Sequence, residues 1–459
     1  MTFACATALQ LKRLALLSRH GGRAPRYTSY PTAAQFTPLD PATYGDWLAS
    51  LPADEAVSVY AHIPFCARLC WYCGCNTRVV HRGETVSDYI GLLREELALV
   101  QAQLPGRLKA SAIHLGGGTP NLTSVDDLAV LFDALRQVFR LAPDAEIAAE
   151  IDPAHLTPEW VRAAAFHGLS RASLGVQDLS PEVQAAVNRI EPFEVVARAA
   201  GLLRDAGVAS LNLDLMYGLP RQRTADVLST LDAVLTLSPD RLALFGYAHV
   251  PWMKAHQKLI NEADLAGDGE RLEQSEAAAE RLTAAGYVRI GLDHYARPDD
   301  SLAVALREGR LHRNFQGYTT DQARTLIGVG VSAIGQLPQG YAQNTANEVA
   351  WRKAVAEGVL PTARGVAVTQ DDRFRAEIIE RLMCDFAVDV EAVSRRHGRE
   401  LPAGEALEAA LAGLEQDGVI DRKGRLIAVT ELGRPFVRQV CAAFDAYLAP
   451  DALRHSRVV

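Results

Sequence analysis

The segment YAHIPFCARLCWYCGCN places Cys66, Cys70 and Cys73 at spacings of four and three, and Cys75 follows two positions later. A loop with that spacing can fold three thiolates onto one cuboidal iron–sulfur cluster, since thiolates are the usual protein ligands of such clusters. Three ligands on four irons leave one iron open to a further chelator. The competing chemistry is a zinc site with Cys75 as fourth ligand, closed and catalytically inert. Zinc knuckles usually present two separated CxxC pairs, so the spacing favours the iron–sulfur reading. The other three of the seven cysteines, Cys5, Cys384 and Cys441, are scattered. Crowding of four thiols without a secretory signal indicates metal more than disulfide.

Something must hold that loop. From about 57 to 295 the chain alternates short apolar or β-branched runs with helical patterns. The runs Val57 to Ile63, Ser111 to Leu115, Glu146 to Ile151, Ala172 to Val176, Ser210 to Leu215, Arg241 to Tyr247 and Val288 to Asp293 read as strands. Helical patterns cover Thr85 to Gln103, Val125 to Phe139, Pro158 to His167, Phe193 to Ala206 and Ala225 to Leu237, with Thr123 or Ser124 and Thr157 as hydroxyl caps. Repeated strand–helix–strand units pair in parallel through right-handed crossovers. The expected class is α/β, a full or an incomplete (β/α) TIM-type barrel. In such folds chemistry lies at the carboxyl ends of the strands. Here those ends are unusually polar: His62 to Cys75, Gly116 to Pro120, Glu150 to Pro153, Gln177 to Asp178, Asp214 to Pro220, Ala248 to Pro251 and Asp293 to Arg297.

The 459 residues suffice for one large domain with smaller attachments, and 49% apolar with 22% charged residues is an ordinary globular composition. A net charge of −8 argues against a general nucleic-acid or anionic-membrane binder. No apolar run is long enough for a membrane span. Residues 1–39 hold Lys12, Arg13, Arg19, Arg23 and Arg26 and no acid, which fits either an organellar presequence or, preferably, a basic arm packed on the body. After about 365 the pattern turns helical, Arg375 to Phe386 and Gly404 to Gln416, followed by GVIDRKGRLIAVTELGRPF, a hairpin leading into a last helix. This suggests a winged-helix-like unit. Its 13 basic and 16 acidic residues from Asp371 onward make a lid or interaction module a better reading than DNA binding. The expected organisation is a basic arm over 1–50, a catalytic barrel with its extension over 51–365, and a C-terminal helical domain over 366–459.

CxxxCxxC after the first strand with GGGTP after the second resembles the radical S-adenosylmethionine superfamily, whose fold is a partial barrel. The wider text, YAHIPFC, CGCN, HLGGGTP, EIDP, SLGVQD, LDLMYGLP, FGYAH, DHYARPDD, LHRNFQGYTT and GVGVSAIG, is similar to the oxygen-independent coproporphyrinogen III oxidase family of heme biosynthesis. The likeness runs from PRYTSYPTA at Pro25 to the C-terminal FVRQVCAAFDAYL. Heme chaperones of the same superfamily generally lack both the extra cysteine of CGCN and the PRYTSYPT arm. This sequence has both.

The resemblance implies a [4Fe-4S] cluster on Cys66, Cys70 and Cys73, and two S-adenosylmethionine molecules. Tyr60, Gly117, Glu150 and Ile334 match the family's positions around the first. Tyr72, Gly118, Thr119, Gln177, Arg189, Asp214 and Ala248 match those around the second. Position 72 is usually Phe, and the family's Asn-Arg-x-Gln pattern reads Asn188, Arg189, Ile190, Glu191, which adds a negative charge where a neutral group is usual. Glycines at a strand end are expected to bring backbone N–H groups close to a ligand.

The implied reaction is oxidative decarboxylation of two propionates of coproporphyrinogen III to vinyl groups by a 5′-deoxyadenosyl radical, giving protoporphyrinogen IX. An electron donor and an acceptor, neither identified by the sequence, are further partners. Four propionates in an acidic protein call for local cations, and Arg26 together with the His312, Arg313, Asn314 loop is expected to supply them. Cys75, as a thiol near the cluster, can donate hydrogen or contact substrate; as a small residue it can instead pack. His62 is expected to support the cluster loop, with Tyr60 on the same strand face. A cytoplasmic monomer is expected. The rival readings are a heme-binding chaperone on the same fold and, more remotely, a zinc-stabilised winged-helix regulator.

Overall fold

A computed structural model of the chain describes residues 8–400 and 404–448. Cys5 lies outside them. Seven strands run parallel: β1 (Ala56–Ile63), β2 (Lys109–Gly117), β3 (Arg140–Ile151), β4 (Arg171–Gln177), β5 (Ser210–Tyr217) and β6 (Arg241–Gly246), followed later in the chain by a strand beside β1. Between β6 and that last strand lies the hairpin of β7 (Val288–Ile290) and β8 (His294–Ala296), whose second strand joins β6 antiparallel. The seventh parallel strand is β9 (Thr325–Val329), continued by the antiparallel β10 (Ile334–Leu337), β11 (Gly340–Asn344) and β12 (Thr362–Ala367). With Thr37–Pro38 at one edge and β7 at the other, the sheet of 13 strands stays open, a partial barrel.

Two expectations need correction. The run Val288 to Asp293 is not one strand, because Gly291 sits at φ +53° and a Cβ there would lie 2.0 Å from the Tyr318 ring, so the chain turns and comes back as β8. The parallel strand expected there is supplied by β9, on the far side of β1.

Period-two alternation decides what the barrel contains. In β1, Val57, Val59, Ala61 and Ile63 are buried in the main apolar core, and so are Leu211, Leu213 and Leu215 of β5. Leu93 and Leu97 of the helix Gly83–Gln103 and Leu128, Leu131 and Leu135 of Val125–Val138 join the same core. The intervening residues face inward. Ser58, His114, Glu146, Arg171, Asn212 and Asp214 line a polar lumen cavity of 910 Å³. A closed barrel of this strand number fills with branched apolar side chains; here the inward positions are polar and the interior is open to ligand.

The caps act as read. Ser124 and Asp127 form a reciprocal capping box, and Thr157 accepts from the Trp160 N–H with Pro158 at the first helical position. Glu96, fully buried, accepts from Gly330 N (2.8 Å), Asn344 Nδ2 (2.6 Å) and Trp351 Nε1 (2.8 Å), tying the helix Gly83–Gln103 to the loop after β9 and to β11.

The C-terminal unit packs the helices Gln370–Asp385, Val390–His397, Glu405–Gln416 and Val437–Ala442 with a three-stranded sheet of Ala387–Asp389, Leu426–Val429 and Ile420–Lys423. The basic arm does not stand apart from it. Leu16, Tyr27 and Tyr30 are buried in the C-terminal apolar cluster with Phe374, Leu382 and Phe436. Arg13, 2% exposed, pairs with Glu276, and Arg438 donates to the carbonyls of Ala24 and Pro25.

Candidate active site

β1 delivers the chain at Ile63 into the cysteine loop, whose first residues Phe65–Cys66 pair in parallel with Arg78–Val79. Backbone hydrogen bonds then lock the loop to the neighbouring strand end: Gly118 N donates to Ile63 O (2.8 Å) and Thr119 N to Phe65 O (2.7 Å). The glycines are needed for that closeness. A Cβ at Gly117, where φ is +113°, would lie 2.6 Å from the His62 ring, and one at Gly118 would lie 2.5 Å from Phe65 O. Because Gly117 N also donates to Glu150 Oε2 (2.9 Å), these N–H groups are satisfied within the protein. The glycine run seats the cysteine loop, and Gly117 and Gly118 also line the cavity onto which that loop opens.

His62 supports the loop from beneath. Its Nε2 donates to Asn76 O (2.9 Å), so Nδ1 accepts from the Tyr60 hydroxyl (2.9 Å), and burial keeps the ring neutral by lowering its pKa. From the other side the segment after β6 clamps the loop's backbone. His256 Nε2 meets Cys73 O (2.7 Å), Lys254 Nζ meets Cys75 O (3.0 Å) and Gln257 Nε2 meets Tyr72 O (2.9 Å). Sequence reading missed all three residues; the signal was AHVPWMKAHQK, a polar run directly after a strand end.

Cys66, Cys70, Cys73 and Cys75 are free thiols and open onto one cavity of 1420 Å³. Cys75 is the most exposed of the four and lines that cavity. Tyr72, Gly117, Gly118, Thr119, Glu150, Gln177, Arg189, Asp214, Ala248 and Arg26 line the same cavity. Tyr60, Ile334 and Arg313 are not in its wall. Tyr60 is engaged by His62, Ile334 lies in β10, and Arg313 stacks on Tyr318 (4.4 Å) and lines a neighbouring cavity while its Nη2 donates to Arg26 O (3.4 Å), which keeps it beside Arg26. His312 pairs with Glu380 (3.0 Å), and Asn314 faces the lumen.

The carboxylates differ in setting. Burial would raise the Glu150 carboxyl, but the hydrogen bonds from His114 and Gly117 hold it below the usual range. Asp214 takes Ser173 Oγ (2.7 Å) and Asn212 Nδ2 (2.8 Å), and burial still raises its carboxyl. Gln177, at the end of β4, holds φ +68°, a left-handed backbone that is rare for a residue with a Cβ and concentrates at functional sites.

Glu191 does not bring an unbalanced charge. It is 1% exposed, and together with Asp152 it faces Arg68 and Arg189, at 2.9 Å from Arg189 Nη2 and 3.3 Å from Arg68 Nη2. Its Oε1 accepts from Ala154 N (3.0 Å), and burial pushes its carboxyl up to about 7. Arg189 Nη1 in turn points at Cys70 Sγ (3.6 Å). This four-membered network stiffens the cysteine loop from behind. Arg68, inside the CARLC text, is the member that sequence reading missed.

The donor set fits a multi-iron cluster. Cys66, Cys70 and Cys73 open as free thiols onto one cavity, the donor type that iron–sulfur clusters take.

The chain matches the family model of the radical SAM superfamily over residues 60–234 and that of the HemN C-terminal domain over residues 368–436. It is 50% identical to the oxygen-independent coproporphyrinogen III oxidase of Bradyrhizobium diazoefficiens, across 95% of this chain and 97% of that relative. The enzyme of the same name from Paracoccus denitrificans is 43% identical over 95% and 96% of the two chains. Among solved structures, coproporphyrinogen III oxidase from Escherichia coli, a radical SAM enzyme, superposes with a TM-score of 0.88 at 38% identity, covering 95% of this chain and 99% of that one. The open barrel and its cysteine loop are those of a radical S-adenosylmethionine protein. More narrowly, the chain belongs to the oxygen-independent coproporphyrinogen III oxidase family.

Proposed function

We propose that the protein converts coproporphyrinogen III to protoporphyrinogen IX without oxygen, by oxidative decarboxylation of two propionates to vinyl groups. The observation that carries this reading is the meeting of Cys66, Cys70, Cys73, Glu150 and Arg26 around one cavity, in a chain alike over its full barrel and C-terminal unit to enzymes of that name.

Cys66, Cys70 and Cys73 would hold a [4Fe-4S] cluster, with two S-adenosylmethionine molecules in the cavity beside it. When bound and reduced, this pair of cofactors supplies a 5′-deoxyadenosyl radical able to take hydrogen from an unactivated carbon. The protein's own residues orient and charge-match. The Glu150 carboxylate is ionised and 39% exposed to the cavity, suited to an ammonium or a ribose hydroxyl. Tyr72, Gly118, Thr119, Gln177, Arg189, Asp214 and Ala248 form the wall for the second molecule. Tyr60 and Ile334 act from behind the wall, Tyr60 by fixing His62. Arg26 donates Nη2 to Gly246 O (2.7 Å), which aims the rest of its fork at the cavity, where a propionate can take two parallel hydrogen bonds. Cys75 stands where it can touch substrate or give hydrogen.

Each vinyl group formed releases CO2 and one electron, so a one-electron donor for the cluster and an acceptor for the product electron are required. We take the protein to act as a monomer. Among the described residues no helix is long and apolar enough to cross a membrane, and we place the protein in the cytoplasm. Anaerobic incubation of reconstituted protein with S-adenosylmethionine, reductant and substrate should give a product lighter by two CO2. Tight heme binding with no vinyl product would overturn this reading in favour of a heme chaperone.

A further inference from the structure

Across β5, β6 and β8 the strand registers set Asp214 opposite Ala243 and Ala243 opposite His294. Opposite residues of paired strands point to the same side of a sheet, so the three stand in one row, with the short Ala243 leaving a gap between the other two. His294 and Asp214 both line the lumen cavity of 910 Å³, which shares Glu150, Ser173, Asp214 and Phe245 with the cavity of the cysteine loop. The catalytic reading gives His294 no task.

The ring is built into place. Its Nδ1 meets Asp293 Oδ1 at 2.7 Å, and the rings of Phe245 and Tyr318 meet it edge to face, with centroids at 5.6 and 5.3 Å. Burial would raise the Asp293 carboxyl, but the hydrogen bond from His294, with Arg313 and Arg26 nearby, holds it down to about 2. An ionised carboxylate can only accept, so Nδ1 carries the proton and Nε2 of the neutral ring offers a lone pair. Among the described residues no hydrogen bond reaches that Nε2. Beside it stands Gly317, at φ +121°, where a Cβ would lie 3.6 Å away, so no side chain covers this edge of the ring.

The donors around the lumen are already engaged. Arg171 pairs with Glu146 and Arg241 with Asp300, each at 2.9 Å, and His114 meets Glu150 at 3.3 Å. Acceptors are left over: besides His294 Nε2, the Oδ1 of Asn212, one row along in β5, is buried with no donor. A buried acceptor without a donor is costly, so a ligand that reaches this wall should bring N–H groups. A propionate is poorly matched to it, because Asp293 behind the ring and Asp214 across Ala243 put carboxylates on both sides.

We propose that His294, oriented by Asp293, accepts a hydrogen bond from a pyrrole N–H of the tetrapyrrole substrate in the lumen. The inference rests on the function proposed above and deepens it, from the side chains of the macrocycle to its core. With its propionates ionised, coproporphyrinogen III has its four pyrrole N–H groups as its only donors. Its saturated bridges let each pyrrole tilt, so that an N–H can lean out toward one wall. The oxidised porphyrin is flat, keeps two N–H groups and holds both at the centre of the ring plane. The contact therefore selects the reduced macrocycle. S-adenosylmethionine also brings N–H and O–H donors, and the experiment separates the two sources.

Coproporphyrinogen III and coproporphyrin III are titrated anaerobically into cluster-loaded protein without reductant, so that nothing turns over. The unsubstituted protein should bind the porphyrinogen more tightly than the porphyrin. His294→Phe, which keeps a packed ring and removes the acceptor, should weaken porphyrinogen binding about tenfold and leave porphyrin binding unchanged. His294→Gln, which puts an amide oxygen near the Nε2 position, should recover most of that loss, and Asp293→Asn should show a smaller loss confined to the porphyrinogen. Thermal melts and iron content check that each variant is folded, and S-adenosylmethionine binding should be unchanged. Equal affinity of the unsubstituted protein for the two macrocycles would overturn the proposal without any variant. So would unchanged porphyrinogen affinity in His294→Phe, or a loss shared equally by the porphyrin, which assigns the residue to packing. Lost S-adenosylmethionine binding with normal porphyrinogen binding gives His294 to the cofactor and sinks the proposal as well. If the porphyrinogen-selective loss is found but the unsubstituted protein makes no vinyl product once reductant is added, the pyrrole contact stands and the catalytic reading falls.

Discussion

Arg26 is held by one nitrogen of its fork, on Gly246 O, while the side chain faces the cavity of the cysteine loop. Its removal should therefore affect substrate capture and little else. Arg26→Ala is expected to raise the substrate KM by about tenfold, the worth of a charge-assisted hydrogen bond, with iron content unchanged. Steady-state kinetics beside an iron assay measures both. The four thiols should separate by the same assay. Cys66→Ala, Cys70→Ala and Cys73→Ala should each abolish retention of iron and visible absorption, while Cys75→Ser should keep the iron and lose turnover. At this scale the sequence was legible where ligands are close together in the chain, since the three cysteines lie within eight residues. It was silent on Arg68, Asp152, Arg189 and Glu191 as a unit, because that network joins three loops that are brought together only by the barrel.

Among the elements, the contact between the end of β2 and the cysteine loop tolerates almost no change. Gly117→Ala would place a methyl group 2.6 Å from the His62 ring at a backbone angle that disfavours a Cβ. A loss of about 1 to 3 kcal/mol is expected, seen as a lower Tm and weaker iron retention. The Glu96 junction should give a pH signature. Burial raises this carboxyl from 4.5 to about 7 in the folded chain. A carboxyl raised on folding is most favourable when protonated, so its contribution is complete below about pH 4.5 and is lost as pH climbs through 7. Glu96→Gln should flatten that part of a stability–pH curve measured by denaturant unfolding. Strands β1 to β6 were readable because each keeps its apolar positions in register against the helices. β9 was not, since TLIGV follows a long irregular insertion and pairs with a strand some 270 positions earlier. The glycine that breaks Val288 to Asp293 reads as harmless until the Tyr318 ring is seen against it.

For the molecule as a whole, the arm and the C-terminal unit form one cooperative body across the barrel. Leu16 is 5% exposed among residues of the C-terminal cluster, and Leu16→Ala should cost about 2 to 4 kcal/mol in urea unfolding of that body. The barrel core, which Leu16 does not touch, should be little changed. The same arrangement explains why charge composition misleads here. A chain of net charge −8 gathers Arg26, Arg271, Arg289 and Arg438 around one cavity where the arm meets the barrel, and such local clustering is invisible in the sum.

The segment that carries Arg26 is made early in synthesis, yet the residues that hold it, Arg438 and Asp445, lie more than 400 positions later. On the ribosome, therefore, the barrel can form while its leading strand of sequence still waits for the final stretch to emerge. A nascent or clipped chain lacking those residues would possess the cysteine loop but a loose arm, so the setting of Arg26 is completed only after the barrel that it borders.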